Sequence, residues 1–169
     1  HRIGGSMEYT NVPFTREMRD THTILVPNML PYHFKLIVRI MKKYGYNMVL
    51  LENSARKVVD EGLKSVHNDT CYPAILVIGQ FIDALKSGKY DVNKTAVIIT
   101  QSGGGCRASN YVPLLRKALK SEFPNVPVLS LNFSGFEKGN GLKTGAGTLL
   151  KLAYGIFYAD AVMGLYNQC

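Results

Sequence analysis

The stretch SARKVVDEGLKSVHNDTCYPAILVIGQFIDALKSGKYD, Ser54 to Asp91, decides how this chain folds. It lies between two apolar runs, NMVLL at Asn47–Leu51 and TAVIIT at Thr95–Thr100, each of which reads as a buried strand. Its first part, SARKVVDEGL, predicts a helix, with Ser54 as a good N-cap and Gly62 as the stop. Its last part, CYPAILVIGQFIDALKSGKYD, has Pro73 near a helix start and Gly88 as a stop. Apolar residues lie almost all round it, which predicts a buried helix, with a strand at Ala74–Ile78 as the second option. Two helices in succession would turn the next strand antiparallel. A short strand at LKSVH, Leu63–His67, restores the alternation of strand and helix and keeps the strands parallel.

The flanking sequence fits the same alternation. HTILVP predicts a strand at Thr23–Val26, and PYHFKLIVRIMKKYGY a helix from Pro31 to a stop at Gly45. After TAVIIT and a glycine-rich loop, a helix is predicted from about Asn110 to Phe123, then a strand in VPVLSL. NFSGFEKGNG reads as a polar loop before a last helix, Leu142 to Tyr166, whose glycines imply close packing or a bend. Residues 1–22 read as an arm from a neighbouring domain, with a short helix around Arg16–Arg19, and residues 23–169 as a single α/β domain. The predicted fold is a three-layer Rossmann- or flavodoxin-like domain of about five parallel strands in the order 2-1-3-4-5.

The composition sets the class. At 169 residues, with 46% hydrophobic and 19% charged residues, the chain is long enough for one domain with a real core. Three widely spaced cysteines, Cys71, Cys106 and Cys169, do not form a secreted disulfide framework. No apolar run is read as approaching membrane-spanning length, and no signal-peptide pattern opens the chain, so a cytoplasmic location without a membrane is expected. The first residue, His1, suggests a piece of a longer protein. The net charge of +8 favours an anionic partner such as a coenzyme A thioester or an acidic protein, or simply a soluble basic surface. Nucleic acid is the least favoured partner, because basic and aromatic residues are not interleaved in a recognisable module.

In such a sheet the loops at the carboxyl ends of the strands build the site. Two of them, HNDTCYP and QSGGGCRASN, carry a cysteine just before a helix start. Free N–H groups and the dipole at a helix start favour a thiolate, and Arg107 adds positive charge beside Cys106. Gly103, Gly104 and Gly105 let the backbone bend tightly and expose its N–H groups. Adjacent third and fourth strands would bring the two loops together. Cys106 could be a metal ligand, a nucleophile or part of an anion-binding loop. The loop lacks the lysine and hydroxyl residue of a P-loop, and its glycines are not in the first strand–helix turn, where a dinucleotide fingerprint belongs. A cysteine–histidine hydrolase would need His22, His33 or His67 beside a cysteine, and no spacing places one there. Cys71 could equally be a small buried residue, though its polar neighbours Asn68, Asp69 and Thr70 argue against that. His67 reads as a strand end bonded locally, Asp69 and Asn110 as cap or turn residues, and Cys169 as incidental.

NDTCYPAILVIGQFIDALKSGKYD followed by QSGGGCRASNY, with RIGGSM, PFTREMR and THTILVPNMLPYHF before them, resembles the acyl-CoA dehydratase activase-related proteins. These have ATPase modules similar to the activator of 2-hydroxyacyl-CoA dehydratases. The resemblance covers most of the chain and implies a segment outside the ATPase modules. That segment is similar to iron–sulfur dehydratase subunits and double-cubane reductases of anaerobic metabolism. It implies that Cys71 and Cys106 ligate an iron–sulfur cluster of the 4Fe–4S kind, with Asn68, Gly103, Gly104, Gly105 and Arg107 around it. It also implies activator-like ATPase domains as partners and an acyl-CoA as a possible ligand. The relatives supply at least three cysteines per cluster, whereas this segment offers two, so an isolated piece is expected to lack the cluster.

Overall fold

The computed structural model describes residues 12–54, 56–67, 69–101, 111–132, 135–136 and 145–168. A short helix α1 (Met18–Thr21) leads to β1 (Thr23–Val26), then α2 (Pro31–Lys43) and β2 (Met48–Leu50). Two helices follow, α3 (Arg56–Ser65) and α4 (Tyr72–Lys86), before β3 (Thr95–Gln101). The chain continues through α5 (Tyr111–Glu122), β4 (Val128–Asn132), the two-residue β5 (Gly135–Phe136) and α6 (Ala146–Tyr166). The sheet order is β2-β1-β3-β4-β5. The first four strands pair in parallel and make a Rossmann-like α/β domain, while β5 pairs antiparallel with β4.

Both faces of the sheet are covered, which is why its strands are apolar without alternation. Leu25, Val97 and Ile99 face a core shared with α4 and α5. Ile24, Val26, Ala96 and Ile98 face the opposite core, which holds Phe34, Val38 and Met41 of α2 and Leu152 of α6. Phe14, upstream of β1, is buried in that second core. Arg19 stacks over the Tyr46 ring and donates a hydrogen bond to the Tyr44 carbonyl. α2 ends where Gly45 takes a positive φ of 82°, and α4 gives way to Gly88 at 71°, both conformations that favour glycine.

The strand expected at Leu63–His67 does not form, and five parallel strands are not present among the described residues. Residues 63–65 are the last turn of α3, and Gly62, expected to stop that helix, lies inside it. Packing explains this. A Cβ on Gly62 would lie 2.2 Å from the Ile75 carbonyl oxygen, and one on Gly79 would lie 1.9 Å from the Val58 carbonyl oxygen. Each glycine lets one helix backbone press against the other, so the helix runs through a residue that would otherwise end it. Those contacts, together with Lys57 Nζ 3.0 Å from Asp83, make α3 and α4 an antiparallel pair.

The strands stay parallel all the same. α4 runs alongside α5 in the same direction, with Cys71 meeting Tyr111 at one end and Lys86 meeting Glu122 at the other. α5 carries the chain back between parallel strands β3 and β4, so α4 is likewise a returning helix. α3 therefore continues the direction in which β2 leaves the sheet, and the pair needs no strand between its members. Lys86 ties the three helices together, 2.7 Å from both Glu61 of α3 and Glu122 of α5.

One further expectation fails, that no apolar run approaches membrane-spanning length. α6, at 21 residues, is long and apolar enough to cross a bilayer by length and composition, although most of it is exposed. Its apolar residues are interrupted by glycines, Lys151 and Asp160, so it shows in the average over the helix and not as an unbroken run.

Gly62→Ala and Gly79→Ala are each expected to destabilise the domain by about 2–4 kcal/mol, since a backbone carbonyl must move. Gly147→Ala, where a Cβ meets nothing, should instead gain up to about 1 kcal/mol from helix propensity. Urea denaturation of the three variants checks this.

Candidate functional site

Cys71 is the N-cap of α4, half-buried, and makes no capping hydrogen bond with its side chain. Pro73 fixes the helix start, and the N–H groups of Ala74 and Ile75 bond to the Cys71 carbonyl. The sulfur lies 3.2 Å from the hydroxyl of Tyr111, the first residue of α5. Tyr111 is buried among the core residues, so it holds the start of α5 against the start of α4. Cys106 precedes Tyr111 by five residues in the sequence. Cys106, Gly103, Gly104, Gly105, Arg107, Asn110, Asn68 and Cys169 lie outside the described residues.

The histidines among the described residues are used elsewhere. His67 is in coil, where its carbonyl accepts a bond from Thr70 N–H and closes the turn through Asp69. The turn expected at Asp69 is present, whereas the strand end expected at His67 is not. His33 bonds to Asp160, and His22 to Thr21 Oγ1. Among the described residues no three His, Cys, Asp or Glu side chains converge on a metal-binding arrangement.

Beside the start of α4 opens a cleft of about 620 Å³. It is lined by Asn28 and Met29 after β1, Ser54 and Arg56 after β2, and Tyr72, Pro73 and Gln80 of α4. It lies at the carboxyl ends of β1 and β2, where open α/β sheets place their ligands. Asn28 and Gln80 of its lining belong to a part-buried polar network that continues to Asn53 and Asp83. The Gln80 side chain accepts from the Asn28 N–H at 3.1 Å and donates to the Asn53 carbonyl at 3.1 Å. Asn53 donates in turn to the Gln80 carbonyl and to Asp83, both at 3.0 Å. Burial pushes the Asp83 carboxyl up, but the hydrogen bonds from Asn53 and Lys57 and the charge on Lys57 outweigh it, and it titrates below its ordinary value.

Tyr111, Gln80, Asn28, Asn53 and Arg56 were not singled out by the sequence. Only Gln80 carried a signal there, as a polar residue in the middle of the apolar run AILVIGQFI. The other contacts join distant segments. Comparison with protein-family models, with curated proteins and with solved structures gave no match.

The network sets an acid dependence. A carboxyl whose folded value lies below its unfolded value stabilises the fold above the unfolded value, here about 3.8. That contribution is lost as pH falls through the folded value. Asp83→Asn is expected to lower stability at neutral pH by about 1–2 kcal/mol and to reduce the further loss on acidification towards pH ~3. Urea midpoints across that range decide it.

Proposed function

We propose that this chain is the iron–sulfur electron-transfer module of an ATP-driven acyl-CoA dehydratase or reductase system, with Cys71 and Cys106 as cluster ligands. The observation that supports this reading is the contact of Cys71 Sγ with Tyr111 Oη, which sets the start of α5, five residues after Cys106 in the sequence, against the start of α4. Cys71 fits the group in its chemistry. It is a soft donor, part-exposed, free of a capping role, and supported by a hydroxyl that can donate to a ligating sulfur. A bound cluster supplies one-electron reduction. The chain's own residues hold it and shape its surroundings: Cys71 at a fixed helix start, Tyr111 as hydrogen-bond donor, and the glycine loop as a source of backbone N–H groups. In this reading the remaining ligands come from the activator-like ATPase partner or another part of the same assembly.

A second reading has its own support in the cleft beside Cys71. Arg56, the Tyr72 side chain and the apolar residues of α3 and α4 around it suit an anionic ligand with an apolar body, such as a coenzyme A thioester. A docking or carrier domain would need nothing more.

Anaerobic reconstitution of the chain together with its ATPase partner, using ferrous iron and sulfide, separates the two. Iron bound by the assembly should fall in Cys71→Ser and in Cys106→Ser and stay unchanged in Cys169→Ser. Tyr111→Phe should keep the iron and lower its reduction potential, because a hydrogen bond to sulfur is lost. Iron content unchanged in both ligand variants sinks the cluster assignment. For the second reading, coenzyme A thioesters should bind an iron-free assembly and weaken as salt rises. Arg56→Ala should cost about tenfold in that affinity, roughly one charge-assisted hydrogen bond, and no loss would remove the cleft from the binding site.

A further inference from the structure

We infer that the outer face of α6 is the contact surface for a second copy of this chain, through an antiparallel α6–α6 pairing. The inference is independent of the cluster reading and rests on how α6 distributes its side chains. Thr148, Leu152, Gly155 and Ala159 are its buried residues and fall on one helical face. That face is fastened to α2. A Cβ on Gly155 would lie 2.8 Å from the Ile40 Cδ1, His33 Nε2 is 2.7 Å from Asp160, and Lys151 Nζ lies 5.4 Å above the Tyr44 ring.

The opposite face is apolar as well. Leu150, Tyr154, Phe157, Tyr158 and Leu165 are exposed there, with Tyr154 at 67% and Phe157 at 72%. They recur at helical spacing, and none of the charged side chains of α6 interrupts them. A helix that is apolar all round is ordinarily covered on all sides. The stripe offers on the order of 700 Å², more than the patch of ~300–600 Å² found on ordinary monomers and close to the ~800 Å² per partner of a standard stable interface.

The order of sizes along the stripe favours a second copy as the occupant. A two-fold axis set between Phe157 and Tyr158 places Leu150 opposite Leu165 of the partner subunit and Tyr154 opposite Ala161 of the partner subunit. Phe157 then meets Tyr158 of the partner subunit. Large faces small and aromatic faces aromatic, and each contact occurs twice about the axis, as in an isologous interface. A bilayer suits this face less well. Tyrosines sit in its middle, where hydrocarbon offers their hydroxyls no partner, and not at two ends as in an aromatic belt. The docking on α2 also holds α6 to the domain.

The test is sedimentation equilibrium of the full chain and of three variants, with circular dichroism as the check on folding. The wild type should be a dimer that dissociates on dilution. Tyr154→Lys and Ala161→Glu should each raise the dissociation constant by about a hundredfold or more while leaving the spectrum unchanged. Combined, the two substitutions face each other across the axis with opposite charge and should restore the dimer, which a variant that merely unfolds cannot do. A monomeric wild type at every concentration overturns the inference, as does failure of the double variant to recover. Pelleting of the wild type with uncharged phosphatidylcholine vesicles in place of self-association also overturns it and assigns the face to lipid.

Discussion

The backbone-to-backbone contact of α3 with α4 is the constraint on which the rest of the fold depends. Gly62 and Gly79 leave no room for a Cβ on either helix, so the two close to a distance that other residues would prevent. This holds α3 as a continuous helix and supplies a third wall for α4, ten of whose fifteen residues are buried. With α4 enclosed between α3, the sheet and α5, the connection from β2 to β3 becomes a helical hairpin, and β3 still enters the sheet parallel to β1. The ion pairs of Lys86 with Glu61 and Glu122 join the same three helices at the far end.

The placement of α4 also creates the candidate site. Its N-cap stands at the carboxyl edge of the sheet, so Cys71 meets Tyr111 and the cleft opens between α4 and the ends of β1 and β2. The polar residues there would be costly to bury singly. Gln80, the Asn53 amide group and the backbone of Asn28 answer one another, and Asp83 is answered by Asn53 and Lys57, which fixes the ends of β1 and β2 relative to the helix, while the side-chain oxygens of Asn28 and Asn53 are left without a partner among the described residues. A rigid frame of this kind suits a site whose ligands must hold a fixed geometry.

α6 follows a different logic. Its inner face fills the groove along α2 with small residues and two polar attachments, His33 to Asp160 and Lys151 to Tyr44. Its outer face keeps large apolar side chains that the domain does not use. The domain thus presents an anchored apolar surface on the α2 side of the sheet, while Cys71 and the cleft belong to α4 on the other side.

Local pattern alone determined a good deal of this structure. The apolar runs at Ile24, Val49 and Ile98 were legible as buried strands because both faces of a parallel sheet are covered. Pro31, Pro73, Gly45 and Gly88 marked helix boundaries through φ preferences that no distant contact alters. The start of a helix after Cys71 was legible for the same reason. Gly62 was misread because a glycine that ends a helix and one that admits a neighbouring backbone look alike in a sequence, and only Ile75 and Val58, brought in by folding, distinguish them. The direction of α3, the meeting of Cys71 with Tyr111 across forty residues, and the exposure of the outer face of α6 were decided by tertiary structure, because each depends on which segments become neighbours and which are left without one.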